Sequence, residues 1–327
     1  MGSYNIELLQ EYIKALIVNI EIKNIPSHIN VIFDGGAFNG GFALGIALYL
    51  KCMEEHKLLK VHAISGCSIG SVLAMWYLTG CKLEGITYFE QFMTSYKKNA
   101  NLHSYKYIIL SFINSIFLTA DADADADAEN AENADADADN AILNKLNGHL
   151  FITYYNIKKH KQKTVSRFKN KAHLIECIMR SSHIPYLMDG QASYNKKYMD
   201  GISPYILKNG LPNLFIKLLT FNKCTRAFMI KSENNIHYRL ITGVADVNDF
   251  FTTGHSDMCS FVDKWSYLNI FQLRFREILS FLIFSLIGWL IVLKNYLPKR
   301  VTNSLLYNGT INSVNGLYSD LVGKILV

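Results

Sequence analysis

Twice within fifty residues an apolar run stops at a glycine turn and gives way to apolar residues at helical spacing, a pattern that few architectures accept. Residues 29–33 end at Asp34-Gly35-Gly36 and lead into GGFALGIALYLKCMEEH; residues 61–65 end at Gly66-Cys67-Ser68-Ile69-Gly70 and lead into SVLAMWYLTG. Strand, turn and helix in succession predict parallel strands, because parallel neighbours need a crossover and the crossing helix then covers the sheet. The expected class is α/β with a mostly parallel central sheet.

Further along, residues 150–156 and 164–168 read as strands around the turn KKHKQK, and 172–182 as a helix ended before Pro185. A short strand over 197–199 runs into Asp200-Gly201, and 214–221 supplies another apolar strand. Between the halves, residues 121–140 (DADADADAENAENADADADN) alternate acid and alanine with no apolar face to bury, which predicts a solvated loop or frayed helix inserted at 120–141. The expected organisation is an N-terminal helical segment over 1–28, an α/β domain over 29–270 and a C-terminal region over 271–327.

Half the residues are hydrophobic and only 18% are charged, which excludes a disordered or fibrous chain. The net charge of +6 hides an asymmetry: the acidic tract holds nine acids and no base, leaving 33 basic against 18 acidic residues elsewhere, a balance of +15. Such a body suits an anionic surface. No nucleic-acid reading module accompanies it, so a membrane surface is the expected partner and nucleic acid is not. The segment 158–171 (KKHKQKTVSRFKNK) carries seven Lys or Arg and no acid, a candidate for anionic headgroups or simply a solvated hairpin.

The six cysteines (52, 67, 81, 177, 224, 259) form no CxxC pair and no His/Cys ligand spacing, so neither a disulfide framework nor a metal site is expected. The first residues lack a basic segment ahead of their apolar stretch, and Ile6 stands where a myristoylation signal needs Ser or Thr. An intracellular, reducing compartment is expected. Residues 278–293 are apolar but for Ser280, Ser285 and Gly288, with Arg274 and Arg276 before them and Lys294, Lys299 and Arg300 after. As a helix they rise ~24 Å against a hydrocarbon core of ~30 Å. The expectation is a hydrophobic, membrane-associated helix, either attached or passing once with help from Tyr296 and Leu297; a buried core helix is the rival.

GCSIG fits G-x-S-x-G, in which a sharp strand-to-helix turn exposes a serine and the glycines relieve the crowding around it. Ser68 would stand at a helix N-terminus, where an oxyanion is stabilised. The neighbouring turn, Gly35-Gly36-Ala37, offers backbone amides that a substrate can approach closely. The competing reading, a nucleotide loop, lacks both the middle glycine of G-x-G-x-x-G and a Walker lysine. For the base, His62, His183 and His255 are candidates without a triad-like context, His255 being the one late enough in the chain for a conventional triad. Asp200 in YMDG ends a strand and is followed by Gly201; Asp189-Gly190 is a decoy of the same form.

Together the three segments resemble the patatin-like phospholipase family. FDGGAFNGG resembles its D-G-G-G-x-R/K-G loop through Asp34, Gly35, Gly36 and Gly40; ISGCSIGS resembles its G-x-S-x-G through Gly66, Ser68 and Gly70; YMDG resembles its D-G-G/A segment through Asp200 and Gly201. CIMRSSHIPYLM resembles the segment ahead of the family's aspartate and favours Asp200 over Asp189. The chain departs at Ala37, where the family has glycine, at Asn39, where it has Arg or Lys, and at Ile202. A negative φ at Ala37 would make the first departure harmless.

The resemblance implies a three-layer α/β/α domain and a lipid acyl hydrolase working without cofactor or metal. Ser68 is the nucleophile, Asp200 its base in a Ser-Asp dyad, and the amides of Gly35, Gly36 and Ala37 hold the oxyanion. The substrate implied is a fatty-acyl ester of a membrane lipid. A catalytically weak lipid-binding scaffold that keeps the fold, and a histidine-triad esterase using His255, are the alternatives.

Overall fold

The computed structural model describes residues 2–298 apart from 19, 21–25, 83, 100, 123–130, 186–187, 192, 202, 221–222, 224 and 231–232, together with 304 and 309. Helix α1 (Gly2–Val18) precedes β1 (His28–Phe33), α2 (Gly40–Glu55), β2 (Lys60–Cys67) and α3 (Ile69–Leu78). There follow α4 (Glu84–Asn99), α5 (Tyr105–Ala122), α6 (Ala131–Leu146), β3 (Leu150–Asn156), β4 (Lys161–Val165) and α7 (Lys171–Ser181). The chain continues through β5 (Tyr198–Asp200), β6 (Asn213–Ile216), α8 (His237–Thr253), β7 (Cys259–Phe261) and α9 (Tyr267–Tyr296).

The fold is α/β, as the repeated strand-turn-helix pattern predicts. Strand order is β4-β3-β2-β1-β6-β7, with β5 paired to β3. The centre, β3-β2-β1-β6, is parallel, and β4, β5 and β7 join antiparallel. Order reverses at β1, whose neighbours are β2 and β6, so the turn after β1 opens at a switch point beyond the carboxyl ends of the strands, where α/β sheets leave a crevice.

Alternation along the strands assigns the two faces. Val31, Phe33, Ile64, Ile152, Leu214 and Ile216 enter the main core beneath α2, α3 and α8. Ile32, Ala63 and Phe215 point the other way, into a smaller cluster with Phe151, Trp265 and Leu273 of α9. Helices α2 and α8 cross with backbones nearly in contact: a Cβ on Gly45 would strike the Leu240 carbonyl, and one on Gly243 would strike the Phe42 carbonyl.

Several boundaries differ from the sequence reading. The strand expected over 164–168 is β4 at Lys161–Val165, because the reversal takes only Ile157–Lys159 and His160, whose φ of 47° is left-handed. The strands expected over 197–199 and 214–221 are β5 and the shorter β6. Of the acidic tract, residues 121–122 end α5 and 131–140 belong to α6, while 123–130 lie outside the described residues. The apolar stretch 278–293 falls inside α9, which begins at Tyr267. Among the described residues no helix is long and apolar enough to cross a membrane.

Candidate active site

Ser68 sits between β2 and α3 with φ 54° and ψ −131°, a backbone conformation that L residues rarely adopt and that costs about 1–3 kcal/mol. The flanking glycines make it sterically feasible. A Cβ on Gly66 would strike the Gly70 carbonyl, and one on Gly70 the carbonyl of Phe33 on the neighbouring strand. Ser71 closes the turn, its N–H and Oγ both donating to the Ser68 carbonyl at 2.9 and 2.7 Å. From the far side, Ser181 Oγ accepts the Ser68 N–H at 2.9 Å and donates to the Thr153 carbonyl at 2.7 Å, tying the elbow to α7 and β3.

The Asp34–Ala37 turn lies directly beside the serine: a Cβ built on Gly35 would be 3.4 Å from Ser68 Cβ and 3.3 Å from Cys67 Sγ. On Gly36 it would lie 2.6 Å from Leu218 Cβ, and on Gly40 2.7 Å from Ile69 Cγ1, so both glycines are demanded by close packing. Ala37 has φ 47°, in the left-handed region, so the condition under which alanine would be harmless there, a negative φ, is not met. The Gly35 N–H donates to Asp34 Oδ1 at 2.9 Å and is thus already engaged, unlike the sequence expectation of three amides open to an oxyanion.

Asp34 is buried, at 1% exposure, and its carboxylate is forked by Arg276 of α9: Nη1 to Oδ2 at 2.6 Å and Nη2 to Oδ1 at 2.9 Å. Burial disfavours the Arg276 charge, yet the Asp34 carboxylate outweighs it and holds the guanidinium pKa above the ordinary arginine value. The Asn39 amide is committed to other groups. Wholly buried, it donates to the carbonyls of Leu218 and Lys223, each at 2.8 Å, and accepts from Arg239 Nη1 at 2.9 Å. Arg239, likewise wholly buried, is paired with Glu233 through Nε and Nη2, both at 2.7 Å. Nothing in the local sequence marks Arg276 or Arg239; each acts across more than 190 residues.

Asp200 ends β5, opposite Tyr154 of β3, and its N–H donates to the His183 carbonyl at 3.0 Å. Gly201 is wedged in: a Cβ there would strike the Thr153 carbonyl and lie 3.0 Å from Cys67 Cβ, at the end of β2. Cys67 is wholly buried, and burial first, then the charges of Asp200 and Asp34, push its thiol well above the usual value. The Tyr105 hydroxyl is pushed up mainly by burial, with the Asp200 charge adding to it. Both residues flank Ser68.

The histidines lie elsewhere. His62 is exposed at the opening of β2, the opposite end of the sheet from Ser68, against His149. His255 is exposed on the loop leading to the edge strand β7. His183 is buried, but its ring faces Tyr194 and, at 4.0 Å, Asp189; burial lowers its pKa and Asp189 partly opposes that. Asp189 is an exposed turn residue whose Oδ1 accepts the Gln191 N–H at 2.9 Å.

A small pocket opens on Ser68, walled by Ala37, Leu102, Tyr105, Ser182 and Met188. Ile69, Phe92 and Tyr105 are shared with a second, apolar cavity that runs between α3, α4 and α5 past Leu73, Trp76 and Phe112. Helices α4 and α5, which supply this wall, carry no motif.

An α/β sheet with a strained serine at a strand-to-helix turn, a glycine loop against it at the switch point and an apolar cavity beyond is the arrangement of acyl-hydrolase folds. The chain belongs to the patatin-like phospholipase family: the family model so described matches residues 31–203, more than half its length. No curated protein matches it.

Proposed function

We propose that the protein is a lipid acyl hydrolase of phospholipase A type that works through Ser68 and Asp200. The observation that carries this reading is the Ser68 backbone, held at φ 54° with the Asp34–Ala37 turn packed against it. Such strain persists where the surrounding structure over-determines it, and it presents a hydroxyl to a pocket.

In this scheme Asp200 takes the Ser68 proton as Oγ attacks the ester carbonyl, and the amides of Gly36 and Ala37 receive the oxyanion, Gly35 being engaged with Asp34. The alcohol portion leaves with the proton that Asp200 hands on to it, and the freed carboxylate then takes a proton from water, which attacks the acyl-serine; that proton returns to Ser68 Oγ as the fatty acid departs. Support for Asp200 comes from its register opposite Tyr154, from Gly201 packed on Cys67, and from the charge it exerts on Cys67 and Tyr105. The apolar cavity beyond Tyr105 suits an acyl chain. The substrate is a membrane lipid, and the site of action is a membrane surface.

The test is release of fatty acid from mixed phospholipid vesicles, followed by mass spectrometry for the parent, Ser68→Ala and Asp200→Asn. The parent releases fatty acid and both variants lose at least a thousandfold in rate. Vesicle binding without release by the parent would leave a lipid-binding scaffold instead.

A further inference from the structure

Helix α9 has two faces with opposite commitments. The inner face holds the candidate site: Leu273 packs into the second core cluster, Arg276 forks Asp34 behind the glycine turn, and Glu277 Oε1 accepts from Ser203 Oγ at 2.7 Å, three residues after Asp200. The outer face carries Phe271, Phe275, Ile278, Leu282, Leu286 and Trp289, spaced by three or four residues and each between 54% and 68% exposed. A stripe on one side of a helix follows from that spacing. Monomeric soluble surfaces rarely carry a contiguous apolar patch of this extent.

Charge and place on the fold select the occupant. The turn between β3 and β4 exposes Lys158, Lys159, His160 and Lys161 beyond the carboxyl end of β3, the end of the sheet on which Ser68 lies. That turn neighbours α9 through Tyr155, whose ring is 6.4 Å from that of Phe281. An apolar stripe beside a cationic turn matches an anionic lipid surface, with hydrocarbon for the one and headgroups for the other. A second copy of the chain would bring together two bodies that are each strongly basic outside the acidic tract. Because the inner face of α9 is held against the domain through Leu273, Arg276 and Glu277, the stripe on its outer face would meet the surface with the helix lying along it.

We propose that α9 seats flat on an anionic lipid surface and that Arg276, a positioning residue, carries this seating to the turn at Asp34–Ala37. The coupling rests on the reading of that turn as the oxyanion loop; the seating does not. Because Arg276 and Glu277 grip the turn and the Ser203 segment from one helix, immobilising α9 narrows the motion of both.

The test uses the full chain and vesicles of ether-linked phosphatidylglycerol and phosphatidylcholine, which contain no acyl ester to cleave. The chain sediments with these vesicles at least tenfold more strongly than with phosphatidylcholine alone, and Leu282→Glu/Leu286→Glu loses that advantage while keeping its melting temperature. Hydrogen exchange on the bound chain slows both along α9 and over residues 33–40. In Arg276→Met, α9 remains protected on vesicles and residues 33–40 do not; Arg276→Lys, which keeps the charge and gives up the fork, recovers part of the protection and serves if Arg276→Met does not fold. Undiminished vesicle binding by the glutamate variant overturns the proposal, as does a parent dimer that the glutamate variant dissolves. Unchanged exchange at 33–40 overturns the coupling. None of these readouts depends on turnover, so failure of fatty-acid release alone would count against the hydrolase reading only.

Discussion

Arg239 Nη1 donates to Asn39 Oδ1 at 2.9 Å, placing a wholly buried guanidinium against the residue that stands where the family's loop carries its own Arg or Lys. Position 39 therefore has a cation beside it already, held by Glu233 and delivered by α8. Restoring the family residue should harm the protein. Asn39→Arg puts two buried cations together and is expected to cost about 3–5 kcal/mol. Urea unfolding of Asn39→Arg and of Asn39→Arg/Arg239→Met checks this, the double variant recovering part of the loss.

At the neighbouring position the opposite holds. Ala37 has φ 47°, where glycine is easier by about 1 kcal/mol than a residue with a Cβ. Ala37→Gly should raise the urea midpoint, or leave it level, and keep fatty-acid release. A loss of unfolding free energy beyond about 1 kcal/mol, a threshold set by the same left-handed penalty, would refute the argument.

The crossing of α2 and α8 leaves no space for a methyl group. Gly45→Ala would drive a Cβ into the Leu240 carbonyl, and the expected loss is about 3 kcal/mol or more. Gly148 meets nothing within 4 Å but has φ 81°, so Gly148→Ala should cost only about 1–2 kcal/mol. Thermal unfolding of the two variants side by side separates close packing from backbone conformation.

Stability should have a plateau in pH with a distinct cause at each edge. Burial lowers the pKa of His183 below its ordinary 6.5, so its contribution is present above that value and is lost as the pH falls toward the folded value. Cys67 and Cys259 are raised well above 9.0, chiefly by burial, and Cys177 is pushed up to about 11. Their contributions are present below the unfolded thiol value and are lost as the pH climbs past it. Melting temperature against pH should bend downward below about 6.5 and above about 9, the ordinary values of imidazole and thiol. His183→Asn should move the acid edge alone.

Much of the site was legible because its signals are local. Gly66, Ser68 and Gly70 mark a turn whose crowding requires those residues wherever it occurs, and the Asp34 and Asp200 segments end strands that their own apolar runs announce. What stayed hidden is long-range. Arg276 meets Asp34 across 242 residues and Arg239 meets Asn39 across 200, and a pairing at such separation leaves no periodicity to read. The sign of φ at Ala37 is likewise set by what surrounds the turn. The end of β4 was misplaced for a related reason: its lysines look like turn residues, yet an exposed antiparallel edge accepts them. Helices α4 and α5 carry the wall of the apolar cavity but no motif, so nothing in their sequence announced that role.

The fork between Arg276 and Asp34 also fixes how short a working version of this protein can be. The stretch that the family model matches ends at residue 203, while the counter-charge to the buried Asp34 arrives from residue 276 and the partner of Asn39 from residue 239. A recombinant fragment trimmed to the matched stretch would keep the serine and the aspartate yet lose β6, the partner of β1, together with the counter-charge of Asp34. Removing one member of such a pair costs about 3–5 kcal/mol, a large part of what holds an ordinary domain together. The minimal expressible unit thus reaches at least to Arg276, a third of the way along α9.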